Sequence, residues 1–355
     1  MIQDHDRLYS FLRPYVDWLF RRSFRRFKYI GREHIPTDGA IIYAPNHVDA
    51  LCDAMAVLGI DHGQKVFVAR ADIFKKPKLA KVLTWLKIMP INRMRDGQDA
   101  VLHNDETINR ALATLRDRVP FCILPEGTHH PKHTLLPLQK GLFRIALMAY
   151  QQFGAEMPVY IVPVGLEYGD YYHLWDTLMV NIGEPICVNV FVEKYYSAAA
   201  TNNAAEDIGI DSQPTAGEGN ALDPKLILAL REELTQRMRE QILWVPDDEQ
   251  YEQNWAALRD NPRPPFDEFK KKKVPAWLRV FLLALTFPLF VPCAIATFPF
   301  WVAWLIIQHN IADRAFHNSV QYVVQVLFYT LTLCLTMPLW FVVEEWRYQL
   351  RQLHR

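Results

Sequence analysis

The residues most able to do chemistry fall in two short blocks, each following an apolar run. The first is Pro45-Asn46-His47-Val48-Asp49-Ala50-Leu51-Cys52-Asp53. A histidine suits the role of general base toward a hydroxyl, because its pKa lies near working pH and a carboxylate can hold its ring in the useful tautomer. Asp49 and Asp53 are both close enough in sequence to serve it. The same residues read equally well as a turn and helix cap, with His47 incidental. The second block is Leu124-Pro125-Glu126-Gly127-Thr128-His129-His130. Gly-Thr at a strand end can present backbone donors to a phosphate or hydroxyl, and glycine at 127 permits close approach. Between the blocks lies Ile88-Met89-Pro90-Ile91-Asn92-Arg93.

Other reactive side chains carry less. Adjacent histidines on a loop splay apart and no acidic ligand accompanies His129, His130 and His133, so no metal site is expected. Cys122 sits inside an apolar run and reads as core rather than as a thioester-forming nucleophile. The five cysteines include no CxxC pair, which argues against a disulfide framework or zinc knuckle and fits a reducing compartment. Lys75, Lys76, Lys78 and Lys81 form either a solvated face or a contact for lipid headgroups or an acidic acyl carrier. Residues 168–172, Tyr-Gly-Asp-Tyr-Tyr, read as a surface loop.

The elements that must position these groups show in the hydrophobic period. Runs at 40–44, 66–69, 121–124, 159–164 and 178–182, bounded by Gly, Pro, Asn and Asp, read as strands. Helical patterns at 105–118 and 138–152 alternate with them, which indicates an α/β domain with buried strands. Residues 7–28 interleave aromatics with Arg21, Arg22, Arg25, Arg26 and Lys28, a composition suited to an amphipathic helix at a membrane interface. Small and polar residues at 198–221 predict a flexible insertion, and a helix with Asp223 as cap and Pro224 at its first position follows. With 39 basic and 39 acidic side chains, the balance gives no indication of a nucleic-acid partner. The N-terminus carries acids where an export signal would carry a basic stretch, so no cleaved signal is expected.

The last quarter differs in kind. Residues 274–307 hold one charge, Arg279, and residues 320–343 hold none. About 20 apolar residues suffice to span a bilayer, so both runs qualify, although Pro288, Pro292 and Pro299 leave a tilted or re-entrant first segment open. Lysines at 270–273 before the first run, and Arg347, Arg351 and Arg355 after the second, predict a hairpin with both ends cytoplasmic and residue 318 on the far side.

Four features in this order resemble the glycerolipid acyltransferase family, which includes lysophosphatidic acid and glycerol-3-phosphate acyltransferases. They are the Asn-His to Asp block, the Ile-x-Arg block, the proline-flanked Glu-Gly-Thr and the Ile-Val-Pro-Val-Gly run at 161–165. The resemblance covers roughly residues 30 to 190 and implies a mixed sheet flanked by helices. It implies that His47 deprotonates an acceptor hydroxyl, which attacks a thioester directly, with Asp53 orienting the histidine. It also implies that Arg93 meets a phosphate and that Glu126, Gly127 and Thr128 bind the acceptor. Five residues separate His47 from Asp53 where the family usually has four, with Cys52 in the expected position. Asp49 is accordingly expected to cap the helix that follows, and a bulge at 46–48 to absorb the extra residue. His129 stands where an arginine or serine usually follows Glu-Gly-Thr.

The expected organisation is an interfacial helix (1–28), an acyltransferase domain (29–197), the insertion (198–221), a helical extension (222–269), a transmembrane hairpin (270–346) and a cytoplasmic tail (347–355). The expected reaction moves an acyl group to 1-acylglycerol-3-phosphate, or alternatively to glycerol-3-phosphate or dihydroxyacetone phosphate. Acyl-CoA or acyl carrier protein is the co-substrate, and no other cofactor is expected. Membrane lipids are the expected partners, and the protein is expected to be integral to the membrane with its catalytic domain on the cytoplasmic face. A His-Asp hydrolase or thioesterase, which leaves Arg93 without a role, and a non-catalytic lipid-binding scaffold are the competing classes.

Overall fold

The computed structural model describes residues 2–92, 104–203, 222–270, 274–311, 313–332 and 334–353. Arg93 and most of the expected insertion lie outside them. Among the described residues eight strands are present: β1 (Arg26–Ile30), β2 (Ala40–Pro45), β3 (Val66–Arg70), β4 (Ile88–Ile91), β5 (Phe121–Cys122), β6 (Val159–Tyr168), β7 (Thr177–Ile182) and β8 (Ile186–Cys187). They make one mixed sheet in the order β1-β7-β6-β2-β5-β3-β4, with β8 also on β6. Pairing is parallel except where β7 and β8 meet β6. β2, β6 and β7 are buried along almost their whole length, as continuous apolar runs are when helices cover both faces.

Alternation along β2 sends Ile42 and Ala44 into one core and Tyr43 into the other. The first core is closed by α4 (Asn104–Arg116), α5 (Lys140–Phe153) and α7 (Pro224–Glu240). The second is closed by α1 (Arg7–Arg22), α2 (Ala50–Leu58) and three C-terminal helices, α9 (Ala276–His309), α10 (His317–Leu331) and α11 (Met337–Leu353). Two short helices, α3 (Pro77–Trp85) and α8 (Tyr251–Asp260), lie outside these layers, and α6 is Val188–Asn203. The last of these continues past residue 198, where composition predicts an insertion to begin.

Two further expectations change. The N-terminal helix stops at Arg22, and residues 26–28 belong to β1, whose Phe27 and Tyr29 face the second core. The helix is both docked and exposed. Leu19 and Phe20 are buried, the Arg13 guanidinium donates to the carbonyls of Leu58, Asp61 and His62 at the far end of α2, and Leu8, Phe11, Leu12 and Trp18 remain exposed.

The expected hairpin of two spans is seen only in part. Among the described residues one helix, α9, is long and apolar enough to cross a membrane. The second apolar run is divided between α10 and α11, because it carries polar groups that find partners on the domain. Ser23 Oγ donates to Gln325 Oε1 (2.8 Å) and Tyr322 Oη donates to the Val16 carbonyl (2.8 Å). Both ends of α9 meet neighbours seated on the domain: Arg279 Nη1 donates to Gln349 Oε1 at 2.8 Å, and the Trp304 ring lies 5.8 Å from His317. Residue 318, expected across the membrane from the domain, is buried against α2. A cysteine placed at exposed Asn310 is therefore expected to react with an impermeant maleimide from the same side of a sealed vesicle as a cysteine on the catalytic domain. Labelling from opposite sides would restore the hairpin.

Candidate active site

The C-terminal end of β2 delivers Asn46 and His47 to the edge of the domain. Asn46 ties that end to β6, since its Oδ1 accepts from Leu166 N (2.6 Å) and its Nδ2 donates to the Leu166 carbonyl (3.1 Å). His47 comes next, partly open to solvent, with Nδ1 2.8 Å from Asp53 Oδ2. Asp53 is fully buried in the first turn of α2. Its Oδ2 also accepts from Val48 N (2.7 Å) and Asp49 N (2.8 Å), and its Oδ1 accepts from Tyr168 Oη (2.9 Å). Four donors hold this carboxylate at one fixed distance from the imidazole.

Asp53 meets His47 as expected, but Asp49 does not take the capping role expected of it. Asp49 precedes the first residue of α2, yet its side chain bonds no helix amide. It is buried and accepts from Asn318 Nδ2 at 2.7 Å, while Asp53 takes the backbone donors. Burial pushes the Asp49 carboxyl well above the usual carboxylate range, and neighbouring Asp53 adds to the effect. Ala50, between the two aspartates, has a φ of +30°, in the left-handed region that residues with a Cβ rarely adopt.

Glu126 lies beside His47, as the second block implies, but its partners are backbone. Oε1 accepts from His47 N (2.7 Å) and Oε2 from Leu136 N (2.8 Å), which pins the His47 turn to the 124–139 loop. Gly127 has φ +67°, a conformation glycine adopts without strain. Gly127 and Thr128 are half-buried in the same loop, and His130 N donates to the His47 carbonyl at 3.4 Å. The His129 ring centroid lies 5.4 Å from that of His47, and its Nε2 is 2.9 Å from Asp313 Oδ2. His133 leaves the site altogether. It stacks on Trp255 at 3.4 Å and meets Glu167 at 2.6 Å. Cys122 is fully buried, and burial raises its thiol pKa, so it is not poised as a nucleophile.

Burial pushes the Glu126 carboxyl up to about 8, outweighing the two backbone N–H bonds that favour its charged form. Between its ordinary value of 4.5 and about 8 the folded protein holds a proton that the unfolded chain has lost. This contribution to stability is therefore complete below that window and falls away as pH rises through it. Glu126→Gln should flatten the decline of Tm across the window relative to the parent protein. Parallel curves for the two proteins would remove the effect from Glu126.

Three residues of the site have weak sequence signatures. Tyr168 looks like the start of a loop, but β6 carries it inward to donate to Asp53, and only the length of the apolar run from 159 hints at this. Asn318 and Ser319 lie far along the chain, and nothing local marks them.

A histidine beside a buried carboxylate, at a strand end in an α/β sheet, is an arrangement able to activate a hydroxyl or water. Comparison with known proteins narrows the class. The family model described as Acyltransferase matches residues 26–167. The chain is 27% identical over 137 residues to the chloroplastic 1-acyl-sn-glycerol-3-phosphate acyltransferase BAT2 of Brassica napus, covering 38% of this chain and 36% of the relative. It is 28% identical over 144 residues to 1-acyl-sn-glycerol-3-phosphate acyltransferase alpha of Homo sapiens, covering 40% and 46%. The chain thus spans less than half the length of these relatives. Among solved structures, the 1-acyl-sn-glycerophosphate acyltransferase PlsC of Thermotoga maritima aligns over 59% of this chain and 86% of that one, with TM-score 0.39 and 21% identity.

Proposed function

We propose that this protein transfers a fatty acyl group from a thioester donor, acyl-CoA or acyl carrier protein, to the free hydroxyl of 1-acylglycerol-3-phosphate. The observation that carries the reading is the His47–Asp53 pair at 2.8 Å, with the imidazole reachable from solvent and the carboxylate sealed beneath it. In this scheme His47 takes the acceptor's proton as its oxygen attacks the thioester carbonyl, and Asp53 steadies the imidazolium that forms. The thiolate leaves and collects the proton from His47. Glu126 acts by holding the His47 backbone, Gly127 and Thr128 line the acceptor side, and Arg93 binds the phosphate.

The same reading attaches the protein to a membrane, where its acceptor resides, with the catalytic domain in the cytoplasm. Along α9, Phe281, Leu285, Phe287, Ile295, Phe298, Leu305 and Ile306 are exposed, as are Leu79 and Val82 of α3 beside Lys78 and Lys81. Apolar side chains flanked by lysines suit contact with an anionic bilayer surface.

The deciding experiment supplies purified protein with labelled acyl thioesters and a panel of acceptors, and identifies the product. Phosphatidic acid from lysophosphatidic acid supports the proposal; exclusive use of glycerol-3-phosphate would move the acceptor assignment, and release of free fatty acid alone would make the protein a hydrolase. Arg93→Ala is expected to lower the specificity constant for the phosphorylated acceptor far more than that for the thioester, because a guanidinium recognises phosphate at two points. Equal losses would make Arg93 structural.

A further inference from the structure

The helix carrying Asp53 lacks a cap of its own. Asp49 offers its side chain to no helix amide, Ala50 sits at φ +30°, and Asp53 is occupied with Val48 N, Asp49 N and His47. The next two amides are satisfied from the other end of the chain. Ser319 Oγ accepts from Leu51 N at 2.9 Å and from Cys52 N at 3.3 Å. Its neighbour Asn318 donates through Nδ2 to Asp49 Oδ2 (2.7 Å) and to the Tyr171 carbonyl (3.0 Å). That joins the His47 turn to the segment just after β6, whose last residue, Tyr168, reaches Asp53. The contact is sealed: Asn318 is 1% exposed, Ser319 3%, and Asp49 and Cys52 0%.

We infer that Asn318 and Ser319 are positioning residues of the active site, which cap α2 from the C-terminal segment and hold the strained turn between His47 and Asp53 in its working geometry. Both lie outside the segment matched by the family model. An orphaned helix start relaxes by fraying, and fraying here moves the amides that fix Asp53. The effect belongs on turnover rather than on substrate affinity, because neither residue reaches the solvent-facing side of the imidazole. The inference rests on the proposed role of His47 and Asp53.

The test is a set of variants assayed for kcat and for KM toward each substrate. Ser319→Ala and Asn318→Asp are each expected to lower kcat about 10–100-fold, the scale of a small misplacement of reacting groups, with both KM values nearly unchanged. Asn318→Asp places a second carboxylate against Asp49, and adding Asp49→Asn should restore most of the lost turnover by returning an amide–carboxylate pair. Turnover near that of the parent protein in both single variants would overturn the inference. So would losses that follow the unfolded fraction alone, or a double variant no better than Asn318→Asp. If the parent protein transfers no acyl group, the functional reading has failed and the cap is read without substrate. The Nδ1 proton resonance of His47 in histidine-labelled protein should then shift or broaden in Ser319→Ala, and an unchanged resonance would overturn the inference.

Discussion

His47→Ala is expected to lower acyl transfer about 10²–10⁴-fold, the contribution typical of a positioned general base, while the protein stays folded. The imidazole is partly solvent-exposed, and its contacts are the Asp53 carboxylate and an edge-to-face approach to His129. Asp53 keeps three other donors when the ring is removed, so its burial remains compensated. The cost to stability should stay near that of one hydrogen bond to a charged group, about 1.5–3 kcal/mol. Product formation from a labelled thioester, read beside a thermal melt, separates the two effects. Turnover within a few-fold of the parent protein would exclude His47 as the base.

The Asp53→Asn variant should lose about 10²–10⁴-fold in rate, because a neutral amide neither selects the proton-accepting tautomer nor offsets the imidazolium. The structure also attaches a cost in stability to this variant. The replaced oxygens accept from two backbone amides, a tyrosine and the histidine. Exchanging one for an NH₂ group weakens that set, so a further loss of about 1–3 kcal/mol is expected. Asp49→Asn should fall much less in rate, since its amide retains an oxygen for Asn318 Nδ2. Turnover and Tm for both variants rank the two carboxylates, and a larger rate loss at Asp49 would reassign the partner of His47.

What the sequence made legible follows from the range of the interactions involved. The runs at 40–44, 66–69, 159–164 and 178–182 are apolar apart from Asn181 because their strands are largely covered on both faces, and each appears as a strand. β1 is hidden by its composition, since Arg26-Phe27-Lys28 alternates within a stretch whose arginines also suit a helix. β4 is four residues long and contains Pro90, too short to announce a period. Within the site, His47, Asp53 and Glu126 lie close in the fold as the two blocks imply, because strand ends gather at one edge of the sheet. The direction of each carboxylate was not legible. Asp49 and Asp53 differ in the structure by which backbone amides they face, and that depends on Ala50 and on a serine 268 residues beyond Leu51. The apolar run at 320–343 likewise reads as a span when counted by charge. Its Gln325 and Tyr322 bond Ser23 and the Val16 carbonyl, partners that no window of that length contains.

The strand order bears on any attempt to cut or graft this protein. β1 is held in the sheet by β7, and β7 alone joins it to β6. The family-matched segment ends at residue 167, before β7 begins at Thr177. A fragment trimmed to that match would contain its first strand without the strand it pairs with, and would expose the freed edge of β6 to pairing with other chains. Chimaeras that exchange acceptor-binding loops should therefore take their downstream junction beyond Ile182, so that the first and last strands of the exchanged unit travel together.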